Sequence, residues 1–197
     1  MSPTAAAAIR EAPERSFVRV DSLPGTRAAA RKAASRAAAD RVLVPVRRGL
    51  YYRGVPTRYG MTTPRPEDVV REVFGDRGIG PAGFSAARAW GVTTQVPPVL
   101  TIAVPYATEP IRGVKQVTRR NLWRRDLTGL EVALLEVLRD PGVLVEAGWS
   151  VLVGRVRDAV RDGRVRFDAV SGAASREHNA SVRKHFARLC HDLEARR

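Results

Sequence analysis

Two adjoining stretches decide how the first part of this chain folds. Thr26-Arg27-Ala28-Ala29-Ala30-Arg31-Lys32-Ala33-Ala34-Ser35-Arg36-Ala37-Ala38-Ala39-Asp40 is followed by Val42-Leu43-Val44-Pro45-Val46-Arg47-Arg48-Gly49-Leu50-Tyr51-Tyr52. The first reads as a long alanine-rich helix. At about 100° per residue, Ala29, Ala30, Ala33, Ala34 and Ala37 share one side, and Arg27, Arg31, Lys32, Ser35 and Arg36 share the other. The second stretch is β-branched and aromatic around Arg47-Arg48-Gly49, which predicts a hairpin with two arginines at its tip. Working outward, Pro3–Glu11 reads as a helix, Phe17–Val20 as a strand and Leu23-Pro24-Gly25 as a turn. Helix, turn, helix and hairpin in that order predict a winged helix-turn-helix over residues 1–56.

Pro56, Gly60, Pro64 and a threonine pair make Val55–Arg65 a linker by composition. A small mixed α/β domain is expected over residues 57–140 and a helical extension over 141–197, giving an α+β chain. In the middle segment, Pro66–Phe74 and Pro81–Trp90 read as helices, and Val99–Val104 and Val114–Thr118 as strands. Thr128-Gly129-Leu130-Glu131 has capping-box spacing ahead of the apolar run Val132–Leu138. In the last segment, helices are expected near Trp149–Arg161 and Ala180–Ala195, separated by Gly163 and a polar Ser-Gly-Ala-Ala-Ser stretch.

Charge narrows the class of partner. The 197 residues carry 34 Lys and Arg against 20 Asp and Glu, a formal charge of +14. With 44% hydrophobic residues the chain can bury a core, so the excess points to a polyanionic partner rather than to disorder. Half of the excess falls within residues 1–56. All but three of the basic residues are arginine, a bias a GC-rich genome also produces, but codon usage does not account for the net charge. The single Cys190 excludes an internal disulfide and a Cys-x-x-Cys site, which fits a reducing cytoplasm. Neither the run at residues 4–9 nor Val143–Gly154, which Glu146 interrupts, reads as a signal peptide or a membrane span.

The cationic helix face, with Arg27, Arg31, Lys32, Ser35 and Arg36, is the candidate reader of a DNA major groove, since guanidinium arms reach guanine O6 and N7 or phosphates. Arg47 and Arg48 are candidate backbone contacts at the wing. The competing readings are a solvated charged helix and a surface hairpin whose charges blunt edge pairing. A secondary basic cluster, Arg119, Arg120, Trp123, Arg124 and Arg125, offers phosphate contacts around an indole able to stack on a base or an arginine. Its alternative is a charged loop anchored to the core by Trp123.

Other motifs carry less. Gly78-Ile79-Gly80-Pro81-Ala82-Gly83 matches G-x-G-x-x-G, but no strand precedes it and Ala103 stands where the ribose-binding acid would be, so its glycines are expected to shape a turn. His178, His185 and His191 are not spaced to share a metal, and Cys190 beside His191 reads as a buried helix thiol. No metal site, cofactor or catalytic residue is expected. A nucleic-acid-processing enzyme would need a carboxylate cluster or a Glu-x-Lys motif, and neither is present.

Taken in order, three segments resemble the AbiEi-type antitoxins of type IV toxin–antitoxin systems. They are Val46-Arg47-Arg48-Gly49-Leu50-Tyr51-Tyr52, then Gly78-Ile79-Gly80-Pro81 leading to Trp90-Gly91-Val92-Thr93-Thr94-Gln95-Val96-Pro97, then Leu127-Thr128-Gly129-Leu130-Glu131-Val132-Ala133-Leu134-Leu135-Glu136. The resemblance implies an N-terminal winged helix that binds double-stranded operator DNA at inverted repeats and represses its own operon. It also implies a second domain that counteracts a nucleotidyltransferase-like toxin without requiring direct contact. It carries no catalytic residues, only the recognition-helix and wing positions already named. The alternative is a stand-alone winged-helix regulator whose second domain binds a ligand or dimerises.

Overall fold

The computed structural model describes residues 4–195, so Pro3, the expected start of the first helix, lies outside them. The chain is α+β and divides into two compact units, Met1–Val73 and Phe74–Arg197. Each has its own core.

The first unit begins with helix α1 (Ala5–Glu11), capped by the Thr4 hydroxyl, which accepts from the Ala7 N–H. Strand β1 (Ser16–Arg19), a single 3-10 turn (Val20–Ser22) and helix α2 (Arg27–Ala39) follow. Strands β2 (Val44–Arg47) and β3 (Leu50–Arg53) form the expected hairpin. The antiparallel sheet has the order β1-β3-β2, with Val18 opposite Tyr51 and Phe17 opposite Tyr52. Phe17 and Tyr52 meet edge to face, with ring centroids 5.3 Å apart. Ala30 and Ala34 of α2 are buried with Ala5, Ile9, Val18, Val20 and Leu43, so methyl-sized side chains let α2 pack closely against α1 and the sheet. Arg53, at the end of β3, donates to the Ile9 and Arg10 carbonyls and satisfies the C-terminal end of α1.

The unit boundary falls later than the residue 56 that composition predicts. Residues 56–61 are not a linker but a short hairpin, β4 (Pro56–Thr57) and β5 (Gly60–Met61). The chain folds back so tightly there that a Cβ on Gly54 would sit 2.2 Å from the Thr62 carbonyl oxygen. Helix α3 (Pro66–Phe74) is then tied to β1 by the Arg19–Glu72 ion pair at 2.6 Å. Proline and glycine here mark a reversal within one unit rather than a gap between two.

The second unit contains a mixed sheet of β6 (Gly80–Pro81), β7 (Leu100–Val104) and β8 (Val114–Thr118), in which β6 runs antiparallel and β8 parallel to β7. Among the described residues six helices accompany it: α4 (Phe84–Ala89), α5 (Gly129–Val137), α6 (Pro141–Leu144), α7 (Trp149–Arg161), α8 (Phe167–Ala174) and α9 (Ala180–Glu194). The predicted capping box is present on α5, with Thr128 and Glu131 each satisfying a backbone N–H of the other. Two expectations are corrected. The polar Ser-Gly-Ala-Ala-Ser stretch lies mostly in α8, because Val170, Ala173 and Ala174 supply it with a buried face. Residues 141–197 are not a separate extension, since Leu152, Val156, Val170, Val182 and Leu189 share one core with Leu134, Leu135 and Leu138.

The glycines at 78 and 80 have packing roles, and Gly83 shapes a turn. A Cβ on Gly80 would stand 2.4 Å from the Gly129 carbonyl oxygen and 2.8 Å from the Val132 Cβ, so β6 reaches α5 only without a side chain. Helix α4 starts three residues later than predicted, after Gly83 turns the chain with φ of 55°. Beyond α4, Glu146 accepts from the Thr94 N–H, the Thr94 hydroxyl and the Gln95 amide, which pins the Thr93-Thr94-Gln95 segment. The Thr94 backbone N–H and the Gln95 amide hold that carboxyl at about 2. Cys190 on α9 is half-buried, and burial pushes its thiol up. No helix among the described residues is long and apolar enough to cross a membrane.

Gly80→Ala should therefore destabilise the protein by about 1–3 kcal/mol, the usual cost of overpacking against atoms that cannot yield. A thermal melt monitored by circular dichroism measures it, and an unchanged midpoint would show that β6 can retreat from α5.

Candidate nucleic-acid interface

Helix α2 starts where the sequence predicts because the Thr26 hydroxyl accepts from the Ala29 N–H at 3.2 Å, and Thr26 itself is extended. With Ala30 and Ala34 buried, Arg27, Arg31, Lys32, Ser35 and Arg36 are all exposed. By helical phase, Ala28, Lys32, Ser35 and Ala39 run down the middle of the outer face, with Arg27 and Arg31 on one flank and Arg36 on the other. Ala28, Ser35 and Ala39 along that line leave room for close approach to a groove floor, and long cationic arms reach out from Lys32 and from both flanks. Arg27 forms an exposed ion pair with Asp21 at 3.2 Å. One assignment changes: Ala29 is exposed rather than part of the buried side.

Periodicity on α2 alone misses Arg10. It sits in the last turn of α1 and, with Lys32 and Arg36, borders a groove of about 450 Å3 between α1 and α2. Ala29, Ala33, Ala37 and Val42 also line that groove. The available signal was Arg10 near the end of α1, but helix pairing is tertiary information that periodicity lacks.

The β2–β3 hairpin carries Arg47 and Arg48 ahead of Gly49, whose φ of 74° makes the turn. Register shifts between Pro45 and Arg47, so the strand bulges just before the tip. The Val20 N–H donates to the Gly49 carbonyl at 2.9 Å, which fixes the tip against the end of β1. Arg48 is exposed, and Arg47 is half-buried. Arg19, Arg47 and Arg48 share the lining of one depression with Asp21. The α2 face and the hairpin tip thus belong to one compact unit, which carries 14 basic and 7 acidic residues.

The secondary cluster at 119–125 needs correction. At its centre is a 3-10 turn (Leu122–Arg124) that is inverted in polarity. Arg124 is 2% exposed, while Leu122 is 71% and Trp123 59% exposed. The Arg124 guanidinium donates to Glu136 at 2.6 Å and to Glu177 at 2.5 Å, and Arg119 grips Glu136 at 2.9 and 3.0 Å. Asn121 donates to Glu177 at 2.6 Å. Arg124 is therefore committed under cover to two carboxylates, and the half-buried Arg119 is tied to Glu136. Trp123 does not anchor the segment either, for Arg124 does. Arg120, Trp123 and Arg125 remain at the surface, with the Arg176 guanidinium 4.0 Å over the indole. Glu136, an acid inside the otherwise apolar Leu134-Leu135-Glu136-Val137 run, was the signal that a cation must be buried nearby.

Burial pushes the Glu136 carboxyl up, but hydrogen bonds from Arg119 and the charges of Arg124 and Arg119 outweigh it and hold the group below the usual carboxylate range. Glu131 behaves alike. Burial opposes its charge, and hydrogen bonds from Arg166 and the Thr128 N–H win.

No protein-family profile matches this chain, and no curated protein matches it. Among solved structures it is similar to the crystal structure of the RV2827C protein from Mycobacterium tuberculosis, with 18% sequence identity and a TM-score of 0.50. The match covers 96% of this chain and 74% of that one. At that identity the likeness is one of fold.

Removing one partner of the buried network leaves a charge unpaired. Arg124→Met should cost about 3–5 kcal/mol in chemical denaturation. A loss below about 1 kcal/mol would mean that water replaces the guanidinium. The network also sets an acid limit. Because the folded Glu131 and Glu136 carboxyls lie below their unfolded value of 4.5, their contribution is complete above that pH and is lost as pH falls through the lowered folded values. Denaturant midpoints measured at descending pH should fall in the wild type below about pH 4.5, and less steeply in a Glu131→Gln, Glu136→Gln double variant.

Proposed function

We propose that this protein is a DNA-binding antitoxin of the type IV class that represses its own operon. In this reading the first unit is a winged helix, with α2 as the recognition helix and the β2–β3 hairpin as the wing. The observation that carries it is the placement of cations within one unit. Arg27, Arg31, Lys32, Ser35 and Arg36 are exposed on a helix held by buried alanines, and that helix leads directly into a hairpin tipped by Arg47 and Arg48. The sheet order β1-β3-β2 supports it, because the first strand completes the sheet from which the hairpin projects. The 3-10 turn Val20–Ser22 stands where the first helix of a helix-turn-helix would be, and α1 packs on α2 instead.

Arg31 and Lys32 are assigned to base edges and phosphates in the major groove, and Arg36, Arg47 and Arg48 to the backbone. The second unit, with its own core, is assigned the antitoxic role against a nucleotidyltransferase-like toxin, following the resemblance in residues 78–97 and 127–136. No chemistry is assigned to either unit.

A gel-shift titration with duplex DNA from upstream of the gene tests the first half. Binding should fall steeply with salt, with a log–log slope corresponding to about 4–8 phosphate contacts, and absence of binding at low salt would remove the proposal. Arg31→Ala should cost about 1–3 kcal/mol on the operator and relax sequence preference, whereas Arg48→Ala should weaken all duplexes alike. Division of labour is tested in the full chain. Lys32→Glu with Arg36→Glu should abolish operator binding yet still rescue growth when expressed from an unrelated promoter beside the toxin. Loss of rescue in a variant that melts cooperatively would mean that antitoxicity depends on DNA binding.

A further inference from the structure

The 3-10 turn Leu122–Arg124 reverses the usual sorting of side chains, with an arginine inside and a leucine and a tryptophan in water. The buried Arg124–Glu136 and Arg124–Glu177 pairs hold it so, and among the described residues only the Arg124 Nη2 is left buried without a hydrogen-bond partner. The effect is a stiff mount. Asn121 strengthens it by donating to Glu177 and by accepting from the Trp123 N–H at 3.0 Å. At the surface, Trp123 carries Arg176 over its ring at 4.0 Å, and the exposed Arg120 and Arg125 flank the turn. The one exposed acid in this run is Asp126, which meets Arg125 at 3.4 Å, while Glu136 and Glu177 lie buried beneath.

From this arrangement we infer that the second unit binds single-stranded nucleic acid, with one base stacked on Trp123 and the flanking phosphates held by Arg120, Arg125 and Arg176. An indole with a guanidinium over its ring and two more exposed arginines flanking its turn is matched to a base and its two phosphates, because every base presents a π-face and every linkage a negative charge. A protein partner fits less well. Two exposed apolar side chains fall far short of the roughly 800 Å2 per partner that a stable interface buries. Like charge on the three arginines opposes a second copy of the chain. A duplex keeps its bases stacked and withholds their faces unless it spends a few kcal/mol to flip one out. Leu122 beside the indole widens the platform for the neighbouring sugar or base. The site is independent of the α2 surface and does not rest on the operator-binding reading.

The test uses the full chain carrying Lys32→Ala and Arg36→Ala, so that α2 does not dominate binding. Fluorescein-labelled oligo(dT) and oligo(U) of about 12 nucleotides and a duplex of similar length serve as probes, a length within the site sizes of single-strand binders. At least one single strand should bind and quench tryptophan emission. Adding Trp123→Ala should weaken that binding at least about fivefold and remove most of the quenching, given about 1–3 kcal/mol per stacked base. Trp123→Phe should restore much of the affinity, which a merely structural role would not explain. Arg120→Ser with Arg125→Ser should flatten the salt dependence, and it carries the test if Trp123→Ala fails to melt cooperatively. Preference for oligo(dT) over oligo(U), or the reverse, tells DNA from RNA as the source. Equal affinity with and without Trp123, binding to the duplex alone, or no binding at low salt overturns the inference. A partner protein that protects Trp123 while both strands fail to bind would reassign the surface. Operator binding by the unsubstituted chain is read separately, so either result can fail without the other.

Discussion

Helix α5 sets the terms for the second unit. Every residue from Glu131 to Val137 is buried, so the helix is enclosed, yet two of those residues are glutamates. A carboxylate without water must find cations and N–H donors, and the surrounding elements supply them. Glu131 takes the Thr128 N–H at the cap and the Arg166 guanidinium ahead of α8, and Glu136 takes Arg119 after β8 and Arg124 from the 3-10 turn. The apolar faces of α5 fix which helices lie near it. Its two charges fix where the chain between β8 and α5, and the entry to α8, must run.

This explains what could be read in advance and what could not. Boundaries governed by local chemistry were legible: the Thr26 cap of α2, the Thr128–Glu131 box of α5, the glycine turn of the β2–β3 hairpin and the apolar run of β7. Each rests on contacts within a few residues. Inverted segments were not legible. Arg119-Arg120-Asn121-Leu122-Trp123-Arg124-Arg125 reads as one cationic patch because proximity in sequence says nothing about which arginine meets Glu177, more than fifty residues later. The same blindness hid α8, whose buried face is mostly alanine and glycine-tolerant, and joined Arg10 to the α2 surface only once α1 and α2 had paired.

The first unit shows a different economy. Its core is small and depends on close approach, with Ala30 and Ala34 beneath α2 and Ile9 opposite, so the helix that presents the cations is held by methyl groups. Alanine serves helix propensity and fit at once, and leaves the outer face free to be chosen for charge. The α2 face was therefore the most legible part of the candidate site, since a pattern of small and cationic residues at helical spacing has few other solutions. The hairpin tip was legible as a turn, but its tether from Val20 to Gly49 was not.

Cys190 has a consequence for the chemistry the chain can survive. A thiol needs to ionise before it attacks peroxide or a disulfide, and half-burial on α9 together with the charge of Glu194 works against that ionisation. With no second cysteine in the sequence to form an internal bridge, mild oxidants find little to act on. No disulfide braces the fold, so a reductant leaves its covalent framework as it is.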